Sequence, residues 1–401
     1  MDFYIARQPI FTVHKRLFAY ELLYRGTDVF NLGNVSGDQA TTSLLASTYL
    51  TEGIDIISNS KPCFVNFTEE LLLKNTPASF PKSTLVIEIL EDVRPTREVI
   101  AVCRELSKEG YKIALDDFIY HKSLEPLINL ADIIKIDFRL TPVDTIHQTL
   151  QRLSKHRVKL LAEKVETHYE FAKAAKLGFS YFQGFFFSKP EKILIKELAG
   201  AQVTLYNLLA EITQAKTTIE RLYDIISRDV AISYKLLRFI NSAYFYRLQE
   251  VKTVKHAIAY LGKEELRRFV ILIIVSELAI DKPDELVRLS LIRAKFCELL
   301  ALQSQFKESS SELFLMGLFS LIDSMLDTKM NSIMDKLPIS KEIKKALSSQ
   351  TGDFIPFLEA VVAYEKADIE SCTDAVNQIN IDVKLLPGIY LDSLRYANAL
   401  T

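Results

Sequence analysis

Residues Tyr111–Phe118 read Y-K-I-A-L-D-D-F. A short apolar strand, Ile113, Ala114 and Leu115, gives way at its carboxyl end to two adjacent acids, Asp116 and Asp117. A β/α fold presents chemistry in this way, because its strands fill the interior and their carboxyl ends open onto one mouth or crevice. Neighbouring stretches end alike. Asn66 closes P-C-F-V-N (62–66), Glu88 lies in T-L-V-I-E-I (84–89), and Lys135 and Asp137 close A-D-I-I-K-I-D (131–137). Glu163 closes V-K-L-L-A-E, Gln183 sits in F-S-Y-F-Q-G, and Glu21 belongs to an aromatic, β-branched run at 17–24.

Between these strands the spacing predicts helices at Thr68–Lys74, Arg97–Gly110, Ser123–Leu130, Val143–Lys155 and His168–Leu177. Residues 3–11 and 17–24, separated by V-H-K-R, read as paired strands. Asn31–Asp38 reads as a loop and Gln39–Gly53 as a helix with a Gly stop. Strand–helix alternation repeated to about residue 190 favours a β/α barrel, with an open doubly wound sheet as the alternative. Taken alone, each polar strand end is a helix cap, a turn residue or a surface charge. Repetition at five or six strand ends in one domain points instead to a shared site.

From Lys192 onward no strand is expected. Helices are predicted at Leu198–Ile212, Ile219–Ile226, Ala231–Tyr246, Val254–Leu261, Glu264–Leu278 and Pro283–Gln305. Leu313–Leu326, Ser340–Ser349, Phe354–Ala367 and Cys372–Ile379 continue the series. The expectation is an α/β barrel domain at 1–190 and an all-α domain at 191–401, joined near Ser188–Lys196, where Pro190 would interrupt a helix. A chain of 401 residues is long enough for two cores.

With 49 basic and 51 acidic side chains, the chain offers no broad electrostatic attraction to nucleic acid or anionic lipid. No basic stripe with aromatic platforms is seen, which argues against a nucleic-acid-binding regulator. Cys63, Cys103, Cys297 and Cys372 lie far apart without metal-site spacing and read as reduced, buried thiols. The amino terminus lacks a signal-peptide pattern. The longest apolar run, Phe269–Val275, falls far short of the roughly 20 residues of a membrane helix. These features predict a cytoplasmic protein without a membrane span.

Carboxylates gathered at a barrel mouth repel one another and resist desolvation, so a cluster of Glu21, Glu88, Asp116 and Glu163 calls for cations. An all-oxygen donor set suits Mg²⁺ or Mn²⁺ rather than zinc. Two such ions, with Lys135 adding positive charge, suit in-line hydrolysis of a phosphodiester.

Residues 1–190 resemble the EAL domain, the family of cyclic di-GMP phosphodiesterases. The name motif is Glu21-Leu22-Leu23, with Leu22 where the family has Ala. V-N-F (65–67), I-E-I-L-E (87–91), I-A-L-D-D-F (113–118), I-K-I-D (134–137), A-E-K-V-E-T (162–167) and Y-F-Q-G-F-F-F-S-K-P (181–190) follow in family order. The resemblance implies a TIM-like barrel with one antiparallel strand. It implies Glu21, Asn66, Glu88 and Asp116 as ligands of a first metal, with Asp117 in the shell of a second. Lys135 and Glu163 would orient and deprotonate the attacking water. Gln8, Arg25 and Gln183 would meet the nucleotide, whereas Asp137 and Glu166 would support the site. Glu91 would anchor the loop after Asp117.

That loop departs from the family. A glycine-rich run is replaced by Ile119-Tyr120-His121-Lys122, so the backbone cannot follow the same path. Lys164 replaces a family glycine beside Glu163. EAL domains dimerise through this loop region, which implies a homodimer that is weakened or built differently.

Residues from about 200 resemble the HDOD family, helical signalling modules related to HD phosphohydrolases but without their metal site. D-V-A-I-S-Y-K-L-L-R-F-I-N-S-A-Y-F (229–245) and T-V-K-H-A-I-A-Y-L-G (253–262) carry the match. Gly317-Leu318-Phe319-Ser320-Leu321 stands where HD enzymes have G-L-L-H-D. Asn241 and Ser242 read as a helix-junction tie, and Arg267, Arg268, Lys263 and Arg293 as a solvated basic face. The resemblance implies a protein partner for this half.

Two functional readings stay open on sequence alone. One is a signalling protein that binds cyclic di-GMP and hydrolyses it to linear pGpG with two metals. The other is an inactive cyclic di-GMP sensor or scaffold.

Overall fold

A computed structural model describes residues 3–26, 54–189, 200–214, 216–242, 245 and 251–400. The expected loop Asn31–Asp38, helix Gln39–Gly53 and most of the joint Ser188–Lys196 lie outside the described residues. The chain forms two compact units, Met1–Phe187 with Tyr364–Asp368, and Ser188–Ala363 with Ile369–Thr401.

In the first unit eight strands close a barrel in sequence order. They are β1 (Phe3–Thr12), β2 (Leu17–Gly26), β3 (Cys63–Phe67), β4 (Leu85–Ile89), β5 (Lys112–Leu115), β6 (Ile133–Asp137), β7 (Lys159–Glu163) and β8 (Tyr181–Gln183). Closure excludes the open-sheet alternative. β1 and β2 form a hairpin, so β1 runs antiparallel to β2 and also to β8, while every other neighbouring pair is parallel. Helices on the outside explain why β4 and β6 are buried at all five positions each: a parallel strand covered on both faces has no solvent side.

Local chemistry sets the helix ends. Thr96 and Thr167 cap the helices Arg97–Glu109 and His168–Lys176, the second through a reciprocal capping box with Glu170. Gly110 ends the first of these helices with φ of 95°, a left-handed conformation that a glycine adopts without steric cost.

Inside the barrel one apolar residue from each strand forms a closed layer: Ile10, Ala19, Phe64, Val86, Ala114, Ile133, Leu161 and Tyr181. This layer is the floor on which the site stands.

The second unit contains no strand among its described residues. The region Val254–Leu278 is broken at Gly262 (φ 71°, ψ 177°), as its sequence suggested. Leu313–Leu326, expected as one helix, is two: Ser310–Phe319 and Ile322–Leu326. A carboxyl-terminal helix, Leu386–Leu400, lies beyond the last expected one, Cys372–Ile379. Proline in the first turn removes only an N–H that has no helical partner, so the helix forms and buries Tyr390, Leu394 and Tyr396. The helix expected at Ala231–Tyr246 ends earlier, at Ile240.

Candidate active site

Side chains two residues apart on a strand point to the same face. One step of two beyond each floor residue, toward the barrel mouth, stand Gln8, Glu21, Asn66, Glu88, Asp116, Lys135, Glu163 and Gln183. For β1 the step runs backward because that strand is antiparallel. Eight strands thus contribute eight polar residues to one tier. The sequence-predicted set is brought together by the same two-residue period that packs the layer beneath it. Register agrees: Gln8 pairs with Glu21 across β1 and β2, and Asn66 with Glu88 across β3 and β4.

The centre of the tier is the Lys135 ammonium, which is fully buried. It lies 2.9 Å from Asp116 Oδ1, 2.9 Å from Glu163 Oε1 and 3.2 Å from Glu21 Oε2, and donates to Glu88 Oε1. Gln183 Nε2 donates to Glu21 Oε2 (2.6 Å) and to Gln8 Oε1 (2.9 Å), which fixes the side chains across the β8–β1–β2 seam.

One ammonium faces four carboxylates, so charge is not balanced. Burial pushes the Glu88 carboxyl well above its usual range, and Glu21 beside it adds to the effect. Burial likewise raises Glu163, to about 8, against the opposing pull of Lys135. For Asp116 burial also acts upward, but the Lys135 charge and hydrogen bond outweigh it and hold the group below its ordinary value. Burial would lower Lys135; the surrounding carboxylates, Glu163 foremost, keep it well above the usual lysine range.

Buried Glu88 Oε2, Glu163 Oε2 and Gln183 Oε1 have no hydrogen-bond partner. Surplus negative charge, unpartnered buried oxygens and a tier without His or Cys fit a hard divalent cation. Among the described residues no three acids, histidines or cysteines stand in a ligating arrangement, and the four carboxylates of the tier each lie within ion-pair distance of Lys135. The residues suit the ion, and the Lys135 ammonium lies among them.

A second set of charges lies nearer the rim. Asp137, at the end of β6, accepts at Oδ1 from the N–H groups of Arg139 (2.9 Å) and Leu140 (2.8 Å). Its Oδ2 meets Lys164 Nζ at 2.5 Å, and the same ammonium is 3.9 Å from Asp117 Oδ1. Burial raises the Asp117 carboxyl, with Asp116 next in order, while Lys164 opposes them. Glu166 pairs with Arg139 at 2.7 Å on the exposed rim. Glu91 is exposed and makes no hydrogen bond or ion pair to the loop it was expected to anchor. The side chain of Arg25 lies outside the described residues.

The altered loop has its own internal ties. Phe118 is buried, and its N–H donates to Lys135 O at 3.0 Å. Ile119 is 72% exposed. Tyr120 donates to Glu125 Oε1 (2.7 Å) under the Arg152 guanidinium, and His121 Nδ1 accepts from the Ser123 N–H at the start of a short 3₁₀ turn that begins at Lys122. Past β8, Gly184 has φ of 139°, and a Cβ there would lie 2.1 Å from Val165 O. That close approach lets Val165 N donate to Gln183 O and seats Gln183 in the tier.

In the helical unit, Asn241 does tie a junction. Its Nδ2 donates to Leu237 O and Val251 O, and its Oδ1 accepts from Val251 N. The expected solvated basic face is corrected. Arg268 is buried, donating to Glu298 and to Glu265 (2.7 Å) and lying over the Phe314 ring; Arg267 donates to Ile212 O and Thr213 O. Arg293 is buried as well and reaches Ser320 Oγ at 3.4 Å, so three of the four residues bridge separate segments rather than face water. Spacing along the chain shows only the neighbours Glu264 and Glu265, whereas the contacts that bury these groups, Glu298 for Arg268 and the Ile212 carbonyl for Arg267, lie 30 and 55 residues away.

Family models match this chain over residues 45–190 with the EAL domain and over residues 200–340 with the HDOD domain. It is 38% identical over 408 residues to the uncharacterized protein YuxH of Bacillus subtilis, spanning 100% of this chain and 99% of that one. It is 35% identical to the cyclic di-GMP phosphodiesterase CdgJ of Vibrio cholerae, spanning 98% and 92%. Among solved structures, a standalone EAL protein from Vibrio cholerae O395 in its c-di-GMP-bound form is 25% identical, covering 47% of this chain and 92% of that chain, with a TM-score of 0.34. That structural likeness is too low to add to the geometry. Identity above 30% to these relatives over nearly the whole of both chains, with an EAL and then an HDOD domain model matched in this chain, shows that it belongs to their family and joins an EAL domain to an HDOD domain.

Proposed function

We propose that the barrel binds cyclic di-GMP and, with Mg²⁺ or Mn²⁺, hydrolyses one phosphodiester bond to give linear pGpG. The observation that carries this reading is the polar tier: eight strands deliver a surplus of buried carboxylates around one lysine at the barrel mouth. Similarity to CdgJ supports the substrate. Glu21, Asn66, Glu88 and Asp116 would hold the ion, with Asp117 beside them. When bound, a divalent ion polarises the phosphoryl group and makes water a better nucleophile at neutral pH.

The protein's own groups do the rest. Glu163, whose Oε2 has no partner, takes the proton of the attacking water. Lys135, 2.9 Å from Glu163 Oε1, fixes the orientation of that carboxylate and balances the charge that gathers on phosphate. Water oxygen bonds to phosphorus, the bridging P–O bond breaks, and the released ribose oxygen takes up a proton. Gln8 and Gln183, already hydrogen-bonded to each other at the seam, would meet the nucleotide together with Arg25. Asp137 and Glu166 support the rim through Lys164 and Arg139. The barrel domain on this reading ends near residue 190, and the helical domain that follows carries the output to a protein partner in the cytoplasm. A homodimer would use a face altered by Ile119–Lys122.

A second reading, a nucleotide sensor without turnover, is favoured by one observation: Lys164 is paired with Asp137 and near Asp117 at the rim. Cyclic di-GMP turnover in Mn²⁺, measured for the wild type and Glu163→Gln, separates the two. The enzyme reading expects pGpG from the wild type and at least a roughly 10²-fold loss in the variant with binding retained. Absence of pGpG from the wild type leaves the sensor.

A further inference from the structure

Lys164 follows Glu163 at the end of β7, where the chain turns out of the barrel. Its φ of 55° places a bulky residue in the left-handed region, as does the φ of 36° at Asp117 across the rim. A non-glycine residue there is strained, so its side chain has to return something to the fold. What it returns is a positive charge delivered to two carboxylates from neighbouring strand ends, Asp137 Oδ2 at 2.5 Å and Asp117 Oδ1 at 3.9 Å. Asp137 cannot swing away, since its other oxygen is held by two backbone N–H groups. The ammonium is thus tethered between acids that belong to the ends of β5 and β6, beside the tier around Lys135.

Resting on the reading of the barrel as a metal-dependent phosphodiesterase, we infer that the Lys164 ammonium stands in for a second divalent ion. The wild-type protein then loads one ion per barrel, at the Glu21–Asn66–Glu88–Asp116 set. A lysine is a compact point charge on a flexible stem, able to follow the two carboxylates without the six-oxygen shell that Mg²⁺ demands. It also repels any divalent ion that approaches Asp117 and Asp137. Lys164 is a specificity-determining residue in this account: it fixes how many ions the site takes.

The test counts Mn²⁺ bound to the full chain, by calorimetry and by electron paramagnetic resonance of free Mn²⁺, for the wild type, Lys164→Gly and Lys164→Gln. Glycine suits the left-handed backbone, and glutamine keeps the bulk without the charge should the glycine variant lose its cooperative melt. The expected result is one ion in the wild type and two in the variants. Two ions in the wild type, or one in folded variants, overturns the inference and leaves the phosphodiesterase reading standing. No ion in any of the three removes the metal-dependent reading itself, and this inference with it.

Discussion

Replacing Lys135 by methionine removes the charge on which the tier is assembled while keeping most of the side-chain volume. Four carboxylates, Glu21, Glu88, Asp116 and Glu163, then face one another without a counter-ion. Removing one partner of a buried ion pair costs about 3–5 kcal/mol. The loss does not multiply by four, because carboxyls freed from Lys135 bind protons instead of remaining charged. For a barrel of this size that corresponds to a fall in Tm of roughly 6–20 °C. The pH dependence has a definite sign. Burial raises Glu163 to about 8 and Glu88 well above 4.5 in the folded protein, so the stability contributed by their bound protons is complete below the unfolded value and is lost as pH rises through the folded one. Without Lys135 the folded values rise further, and the deficit of Lys135→Met widens between pH 6 and pH 9. Denaturant unfolding in chelator at the two pH values reads this directly, and added Mn²⁺ narrows the gap by restoring positive charge to the folded state. A penalty below about 1 kcal/mol, set against the 3–5 expected, or one equal at both pH values, refutes the assignment of Lys135 as the counter-ion of the tier.

In the helical domain, Asn241→Ala removes three hydrogen bonds, two to the Val251 backbone and one to the Leu237 carbonyl, and is expected to lower stability by about 1–3 kcal/mol, read by urea denaturation. Gly317→Ala puts a Cβ 2.4 Å from Arg293 O and 2.7 Å from Ala294 Cα, forcing apart the helices Ser310–Phe319 and Asp284–Leu302. A comparable loss of about 1–3 kcal/mol is expected, and it should leave Mn²⁺ binding by the barrel unchanged.

The polar tier was legible because β-strands repeat every two residues: an apolar Val86 or Ile133 announces the inward face, and Glu88 or Lys135 must then share it. Asp116 and Glu163 were readable for the same reason. What could not be read was which group would neutralise the carboxylates. Lys135 was expected to add positive charge beside metal ions, and only closure of eight strands places it against Glu21, 114 residues away in the chain. Lys164 was visible as a departure from the family glycine, but its ion pairs depend on the backbone twist at its own position and at Asp117. Helix ends followed the same division. Thr96 and Gly110 bounded their helix by local chemistry, whereas the helix Leu386–Leu400, absent from the expected series, is stabilised by the tertiary packing of Tyr390, Leu394 and Tyr396. Arg268 was misread as solvated because its partners Glu298 and Ser311 come from other helices.

The central claim is that the tier around Lys135 is a nucleotide and metal site, and calorimetric titration of the full-length protein with cyclic di-GMP in the presence of Ca²⁺ tests it without relying on turnover. The account predicts saturable binding of one nucleotide per barrel that is lost when Ca²⁺ is chelated and weakened at least about tenfold, or 1.4 kcal/mol, in Glu88→Gln. Heat no greater than dilution with Ca²⁺ present, or binding indifferent to both the chelator and Glu88→Gln, would contradict it.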